Sequence, residues 1–361
     1  MHMPSGFPSG PSSALRVGVV GATGLVGRTM IGVLLERGFP FSELRALASA
    51  RSAGSTLAVD GREFPVREAT PEAFDGLDLA LFSAGAGVSR RLAPEAASRG
   101  VAVVDNSSAW RMEVGVPLVV AEVNPGDAGE HEGIIANPNC STMQLAPLLM
   151  ALRDAVGLER VIVDTYQAVA GTGNKAVAEL ETQIRAHAAG AAKEASVYPH
   201  PIAFNALPEI DVFLADGYSK EEWKVINESR KILHLPDLRV SCTAVRVPVF
   251  VGHSEAAHVQ TFEPITPERA RALFADVPGV VVVDDPTAHR YPLATDAAGR
   301  DEIFVGRVRR DASLPDGRGL AFWCVSDNLR KGAATNAVQI AEILVEHGWL
   351  APASRRREVA V

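Results

Sequence analysis

The chain has 361 residues, a formal net charge of −8, 47% hydrophobic residues and 22% charged residues. This length is typical of two domains of ordinary size, and the composition is that of a globular protein with hydrophobic cores. The negative charge argues against nucleic acid or an anionic membrane as the main partner. No apolar run reaches the roughly 18–20 residues of a membrane span. The three cysteines, Cys140, Cys242 and Cys324, form no disulfide framework, so we expect a reducing, cytoplasmic compartment.

A glycine-rich turn follows the first predicted strand. Residues 15–20 are predicted to form a buried strand, and an amphipathic helix is predicted to run to Gly38. Between them, Gly21, Gly24 and Gly27 give a G-x-x-G-x-x-G spacing, a variant of the Rossmann fingerprint. Glycines let the backbone approach a pyrophosphate, and the helix N-terminus supplies N–H donors. The first domain is therefore predicted to bind a dinucleotide.

The end of the second predicted strand, residues 44–49, indicates which dinucleotide binds. An NAD site would place Asp or Glu there to accept hydrogen bonds from the ribose 2′-OH. This chain has Arg51 and Ser52 instead, which can bind a 2′-phosphate. The pattern favours NADP. The alternative is that Arg51 is only a surface cation.

A cysteine lies where a predicted strand meets a predicted helix. An apolar run at 133–136 is followed by Asn139 and Cys140, and a helix pattern continues to residue 156. The unpaired N–H groups of a helix N-terminus favour a thiolate. They contribute at most about 2 kcal/mol, so an efficient nucleophile needs a second group such as a histidine. The alternative is a small buried apolar residue, which is what we expect of Cys242 and Cys324, inside predicted strands.

Further predicted elements and candidate binding residues lie both before and after the cysteine. Residues 191–218 are rich in proline and irregular, and we predict no element there. Arg111 follows a strand where ligand loops collect, so it is predicted to bind phosphate or form a structural ion pair. Glu221 and Lys224 lie on one helix face, where a solvated ion pair is the alternative to a binding role. The remaining predicted elements are strands at 77–82, 101–105, 161–169, 238–251, 256–262, 280–283, 303–309 and 320–325, and helices at 174–189, 221–235, 267–274 and 328–347.

Six motifs together resemble the aspartate-semialdehyde dehydrogenase family, and they cover roughly residues 15–350 in that family's order. They are Gly21–Gly27, Asn137–Thr142, Gln167–Gly173, Glu221–Lys224, Arg246–Val249 and Gly252–Glu255. The resemblance implies NADPH-dependent reductive dephosphorylation of L-4-aspartyl phosphate to L-aspartate 4-semialdehyde and phosphate, through a cysteine thioester. It also implies a role in lysine, threonine, methionine and diaminopimelate biosynthesis.

The same resemblance implies the architecture. The expected fold is α/β plus α+β: a Rossmann-type NADP-binding domain with a catalytic and dimerisation domain like that of glyceraldehyde-3-phosphate dehydrogenase. We expect the first domain at 15–139 plus 329–350, the second at 140–328, and tails at 1–14 and 351–361. A homodimer or a dimer of dimers is implied, with neither nucleic acid nor membrane as a partner.

The resemblance also implies the roles of individual residues. Cys140 matches the nucleophile, and His253 matches the acid/base group. Gln167 matches a residue that orients the substrate at the thiol, and Asn139 lies beside Cys140. For the substrate, Arg246 matches the group that binds the α-carboxylate, Glu221 the contact to the α-ammonium, and Lys224 and Arg111 the phosphate site. The matching cofactor contacts are Gly21, Thr23, Gly24, Leu25, Val26, Arg51, Ser52, Ala170, Gly171 and Asn328. Ala170 stands where many relatives have Ser, and no metal is expected.

Three choices remain open at this level. His253 and His258 lie five residues apart and would face opposite ways on one strand. We favour His253, which we expect in a mobile glycine turn before that strand. N-acetyl-glutamyl-phosphate reductase uses similar chemistry but would not need Glu221, because its substrate amine is uncharged. The third open choice is between an enzyme and a non-catalytic NADP-sensing protein, in which Cys140 and His253 would be merely structural.

Overall fold

The computed structural model describes residues 15–359, with side chains described as far as Arg356. The expected N-terminal tail and the last two residues lie outside this part. The described residues divide into two compact units: residues 15–138 and 333–359 form unit 1, and residues 139–332 form unit 2. The chain returns from unit 2 to unit 1 within a short π-helix, Arg330–Thr335.

Most of the predicted strands and helices are present, but the helices at 86–98 and 294–297 were not predicted, and other corrections are given below. The strands are β1 (Leu15–Val20), β2 (Phe41–Ala48), β3 (Thr56–Val59), β4 (Arg62–Glu68), β5 (Leu79–Phe82), β6 (Ala102–Asp105), β7 (Ile134–Ala136), β8 (Leu158–Gln167), β9 (Arg239–Arg246), β10 (His253–Thr261), β11 (Val280–Val282), β12 (Ile303–Arg310) and β13 (Gly319–Ser326). The helices are α1 (Leu25–Glu36), α2 (Ala86–Ser98), α3 (Cys140–Val156), α4 (Asn174–Ala188), α5 (Lys220–Ile232), α6 (Pro267–Ala275), α7 (Ala294–Ala297), α8 (Asn336–Glu346) and α9 (Ala353–Val359).

Unit 1 is a sheet of seven strands in the order β3-β4-β2-β1-β5-β6-β7. All pairs are parallel except the β3–β4 hairpin, which the sequence did not predict. Every residue of β5 and β6 is buried, as expected of central strands with helices on both faces. The sheet grows in opposite directions from β1, with β2 on one side and β5 on the other. Ligands bind at such a switch point, outside the carboxyl ends of the strands.

The C-terminal segment is not the tail that was expected. Residues 353–359 form α9, whose first amide donates to the carbonyl of His131 at 2.8 Å. Ser354 donates to Glu132, and the Arg356 guanidinium lies 5.6 Å from the Trp349 ring centre. These contacts connect residues 353–356 to unit 1. The helix predicted at 328–347 is likewise split, into the π-helix and α8.

Unit 2 is a mixed sheet of six strands in the order β11-β12-β13-β10-β8-β9. The central strand β10 is antiparallel to both β13 and β8, whereas β8 and β9 are parallel. Helix α3 packs against β8, β10 and β13, and nine of its consecutive residues, from Ser141 to Leu149, are buried. Cys242 and Cys324 are buried within β9 and β13, which confirms that both are core residues.

Two strand boundaries in unit 2 differ from the prediction. Strand β9 stops at Arg246, and not at residue 251, because Pro248 has no N–H to continue the ladder. Strand β10 begins at His253, and not at residue 256, so the expectation of a histidine in a mobile turn is wrong. Gly252 makes the turn immediately before it, with φ +98°. In residues 15–359 no helix combines the length and apolar character needed to cross a membrane.

Candidate active site

The glycine loop of unit 1 fits a dinucleotide pyrophosphate. A Cβ on Gly21 would lie 2.4 Å from the Ser83 carbonyl oxygen, and one on Gly27 would lie 2.2 Å from the Gly21 oxygen. Gly24 is the N-cap of α1 and offers no side chain to cap it, so the first amides of that helix remain open to an anion. Thr23, Leu25 and Val26 lie in this turn. The loop brings the backbones after β1 and β5 together at the switch point.

The loop after β2 fits an adenosine 2′-phosphate. Arg51 is exposed, and no described residue makes a hydrogen bond or ion pair with its guanidinium. Ser52 lies beside it in a turn in which its amide donates to Ser49. No carboxylate stands at the end of β2 where an NAD site would need one. The loop therefore carries hydrogen-bond donors of the kind that a 2′-phosphate accepts from.

Arg111 is a buried cation at the carboxyl ends of β6 and β7. Its Nε donates to the Asn137 carbonyl at 3.0 Å, and its Nη2 donates to the Asn106 carbonyl at 2.9 Å. Its side chain is thus oriented by backbone carbonyls of unit 1. The sequence left a phosphate ligand and a structural ion pair open. The guanidinium–carbonyl geometry supports a preoriented cation.

The thiol of Cys140 begins α3 in unit 2. Asn139 is the N-cap, with its Oδ1 accepting from the Ser141 amide at 2.9 Å. The Asn139 amide donates to Glu228 at 2.6 Å, and its Nδ2 donates to Glu221 at 2.8 Å. Both carboxylates come from α5, so that helix fixes the backbone on the N-terminal side of the thiol. Cys140 is only half-buried, whereas Asn139 and Ser141 beside it are buried.

Strand register places three candidate residues side by side. Gln167 ends β8 and pairs with Arg246, which ends β9. On the other side of β8, the pairing of Ser254 with Tyr166 brings His253 opposite Gln167. Side chains of paired residues point to the same face of a sheet, so these three form one row on the face covered by α3. We call Gln167, Arg246 and His253 the upper row.

Hydrogen bonds connect the upper row to the cysteine helix. The Gln167 Nε2 donates to the Ser141 Oγ at 2.8 Å and to the Glu221 Oε1 at 3.1 Å. Within the described residues, the Gln167 Oε1 has no partner and is available to a substrate. The amide is therefore held beside Cys140 while one of its atoms stays open.

Glu221 is a buried carboxylate that remains ionised. Burial opposes its ionisation, but the Lys224 charge and hydrogen bonds from Lys224, Gln167 and Asn139 outweigh it and lower the pKa to about 2. The Lys224 Nζ lies 2.9 Å from Glu221 and 2.8 Å from Asp211. The pair with Glu221 has the i,i+3 spacing expected of a solvated pair, but it is largely buried.

His253 is fixed and neutral. Its Nδ1 accepts a hydrogen bond from the Ala168 amide at 3.0 Å, so the neutral ring carries its proton on Nε2. Burial, followed by the positive charge of Arg246, lowers the pKa of His253 to about 3. Within the described residues Nε2 has no partner, so its N–H is free to donate to a substrate oxygen. His258 instead faces the other side of β10, beside Asp311 at 3.1 Å.

The loop after β8 closes around Arg246 and His253. The Arg246 Nη1 donates to the Ala168 carbonyl at 2.8 Å, and its Nε has no partner among the described residues. A Cβ on Gly171 would lie 3.1 Å from the Arg246 Nη1 and 3.2 Å from the His253 Nε2, so glycine keeps this space open. Ala170 is buried in the same turn. The Asn328 Oδ1 accepts from the Gly252 amide at 2.9 Å and steadies the turn before His253.

Sequence reasoning missed two residues of this network, Glu228 and Asp211. Glu228 lies seven residues after Glu221 on α5, in the buried stripe that contains Val225 and Ile232. A carboxylate in an apolar helix stripe is the signal that could have identified it. Asp211, at φ +67°, pairs with Lys224 from a loop that has no regular pattern, and nothing in the sequence indicated it.

A dinucleotide-binding unit joined to a unit with a preoriented cysteine, an uncharged histidine and a buried arginine defines a nicotinamide-dependent dehydrogenase with a thiol nucleophile. Residues 16–131 match the family model of the semialdehyde dehydrogenase NAD binding domain, and residues 149–331 match that of the semialdehyde dehydrogenase dimerisation domain. The chain belongs to the aspartate-semialdehyde dehydrogenase family, which confirms the fold class and family predicted from the sequence.

Individual relatives support this assignment. An aspartate-semialdehyde dehydrogenase of Aquifex aeolicus is 53% identical, and the match covers 93% of this chain and 99% of the relative. One from Bacillus subtilis is 50% identical over 91% of this chain and 97% of the relative. The crystal structure of aspartate semialdehyde dehydrogenase II from Vibrio cholerae complexed with ASA superposes with a TM-score of 0.89 at 45% identity, covering 93% of this chain and 99% of that one. The crystal structure of an aspartate semialdehyde dehydrogenase with NADP from Candida albicans superposes with a TM-score of 0.72 at 26% identity. The match covers 93% of this chain and 100% of that one.

Proposed function

We propose that this protein catalyses the NADPH-dependent reductive dephosphorylation of L-4-aspartyl phosphate to L-aspartate 4-semialdehyde and phosphate. This reaction serves lysine, threonine, methionine and diaminopimelate biosynthesis. The observation that carries the proposal is the buried network that joins Asn139, Gln167 and Glu221 around Cys140. The network holds one open acceptor and one buried anion beside a thiol at a helix N-terminus.

The Cys140 thiolate attacks the acyl carbon of the substrate, and the carbonyl π-electrons move onto oxygen. The His253 Nε2–H donates to that oxyanion, a role that suits a ring whose other nitrogen already accepts a hydrogen bond. The oxyanion collapses, the bond to phosphate breaks, and phosphate leaves with the bonding electrons. The product at Cys140 is a thioester.

The substrate's charges match the charges of the site. Arg246 presents a guanidinium for the α-carboxylate, and ionised Glu221 accepts from the α-ammonium. Lys224 and Arg111 bind the phosphate. A substrate with an acylated amine would offer Glu221 no charged donor, so an N-acetyl-glutamyl phosphate fits this site less well than an aspartyl phosphate.

Unit 1 supplies the cofactor site. The open amides at the start of α1 would bind the pyrophosphate of NADP(H), and Arg51 with Ser52 would bind its 2′-phosphate. We propose from the family motifs that Ala170, Gly171 and Asn328 also contact the cofactor. When bound, NADPH supplies the hydride that reduces the acyl group to the aldehyde level. His253 again donates to the oxyanion that forms on the Cys140 adduct, and release of the aldehyde restores the thiolate.

The assembly we propose is a homodimer that can pair into a dimer of dimers, formed through the face of the unit 2 sheet opposite α3. Tyr166 and Trp323 lie on that face with ring centres 5.3 Å apart, and Tyr166 is exposed. Aromatic side chains of this kind are common at the centre of interfaces. Three free cysteines support a cytoplasmic location.

The reverse reaction tests the function. Purified protein is mixed with L-aspartate 4-semialdehyde and NADP, with and without phosphate, and NADPH is followed by its absorbance. We expect sustained turnover only when phosphate is present, and at least about 10²-fold lower kcat/KM with N-acetyl-glutamate semialdehyde. Equal rates with both aldehydes would reject the substrate assignment. No NADPH formation with either, from folded protein, would favour the sensing protein.

A further inference from the structure

Glu255 is a buried carboxyl group that the proposed reaction does not use. It lies on β10 two residues after His253 and points to the same face, towards α3. Its paired neighbours are Cys324 on β13 and Thr165 on β8. It is therefore one register position behind the upper row, and its side chain is fully buried.

Among the described residues, no cation interacts with the Glu255 carboxyl. The Cys324 thiol donates weakly to Oε2 at 3.7 Å, and the described residues offer no partner to Oε1. Gln144 and Ser141 of α3 are the other polar groups close enough to interact with the carboxyl. Burial raises the pKa of Glu255 to about 8, although these three neighbours act to lower it. The group is a neutral acid at pH 7 and can donate a hydrogen bond.

Other titratable groups near Glu255 do not supply a counter-charge. Cys324 and Cys242 face it from β13 and β9, and burial, followed by the charge of Glu255, raises the pKa of both thiols. His253, on the same strand, is neutral, as described above. An ionised Glu255 would consequently be an unpaired charge in the interior, which is a strongly unfavourable state.

The carboxyl lies behind the residues that orient the nucleophile. Ser141 follows Cys140 and accepts from Gln167, and Gln144 lies one helical turn after Cys140. A neutral Glu255 can hold this first turn of α3. An ionised one would add negative charge behind the turn where the thiolate forms, and would weaken the helix N-terminus as an anion site.

We propose that Glu255 is a positioning residue for Cys140: its protonated form anchors the first turn of α3 through Ser141 and Gln144, and its ionisation sets the alkaline limit of activity. The proposal rests on the proposed function, because it concerns the same thiol. Like charge near a nucleophile is expected to reduce its reactivity without abolishing the fold.

The first test is the pH dependence of kcat/KM in the unaltered enzyme and in Glu255→Gln. We expect an alkaline limb near pH 8 in the unaltered enzyme. In Glu255→Gln we expect that limb to be absent, with activity at pH 7 within about threefold of the original, because glutamine resembles the neutral acid. Glu263→Gln, which removes an exposed carboxylate beyond the end of β10, should leave the limb in place. A limb unchanged in Glu255→Gln, or a uniform loss at every pH, would overturn the proposal.

Two further measurements decide the matter if Glu255→Gln does not fold. Gln144→Met removes a polar group that lowers the pKa of Glu255, so the limb should move to higher pH; an unchanged limb or a shift to lower pH would contradict the proposal. Infrared spectra of the unaltered protein should show a protonated carboxyl signal that disappears near pH 8, and absence of such a signal would also overturn it. The infrared signal needs no substrate, so a failed proposed function would remain distinguishable.

Discussion

The two units differ in which groups form their sites: backbone groups in unit 1 and side chains in unit 2. In unit 1 the cofactor site is mostly backbone: glycines at 21 and 27 that exclude a Cβ, and helix amides without a side-chain cap. In unit 2 the site is made of buried side chains from three strands and two helices, each fixed by named hydrogen bonds. A diphosphate can be bound by seven consecutive residues, whereas an amino-acid acyl phosphate needs separated segments that supply opposite charges.

The largest expected effect is on the nucleophile of unit 2. Cys140→Ala should lower kcat by at least about 10⁴-fold, because no other described thiol is accessible, while leaving NADPH affinity unchanged. Turnover is measured by NADPH absorbance and cofactor binding by its fluorescence. Cys242→Ala is the matched control and should retain activity. Activity retained in Cys140→Ala would move the nucleophile elsewhere.

Next in size is the histidine of the upper row. His253→Ala should lower kcat by about 10²–10⁴-fold, because the oxyanion loses its donor, and His258→Ala should change it by less than about twofold. Since the pKa of His253 is about 3, no histidine titration should appear in the kcat profile between pH 5 and 8. A larger loss in His258→Ala would reverse the assignment.

His253 should also influence stability. The unfolded ring protonates near pH 6.5, but the folded ring stays neutral to about pH 3. Unfolded protein therefore binds more protons over this range, and the free energy of unfolding should decrease as the pH falls from about 6.5 towards 3. Chemical denaturation at several pH values should show a shallower decrease in His253→Asn. An equal decrease in both proteins would show that the ring is not buried as described.

A smaller effect is expected from the backbone site of unit 1. Gly27→Ala should raise KM for NADPH by about 10²-fold, equivalent to about 2–3 kcal/mol of overpacking, with little change in iodoacetamide labelling of Cys140. Gly32→Ala, in the same helix but with only ordinary van der Waals neighbours, is the control. Similar behaviour of the two variants would mean that the loop tolerates a Cβ.

The smallest expected effect concerns cofactor choice. Arg51→Ala should raise KM for NADPH by about tenfold and leave KM for NADH unchanged, because one exposed charge-assisted contact is lost. Steady-state kinetics with both cofactors measure this. An equal change in both KM values would identify Arg51 as a surface cation.

The same contrast explains what the sequence could reveal. The glycine loop is contiguous, so its spacing alone indicated the strand, the turn and the helix. Gln167, Arg246 and His253 are separated by up to 86 residues, and only strand register shows that they form one row. Their roles were expected from a family resemblance, and not from pattern. Glu228 was indicated only by its position in an apolar helix stripe. Asp211 and Glu255 carried no readable signal of their function, because burial of a carboxylate depends on neighbours distant in the chain.

The central claim is that Cys140, oriented by the unit 2 network, carries the acyl group during turnover. The most direct test mixes enzyme, L-aspartate 4-semialdehyde and NADP without phosphate, and then analyses the protein by peptide mass spectrometry. We expect a burst of about one NADPH per active site and an acyl adduct on Cys140 that disappears when phosphate is added. NADPH formation with the adduct on another residue, or with no adduct at all, would contradict the account.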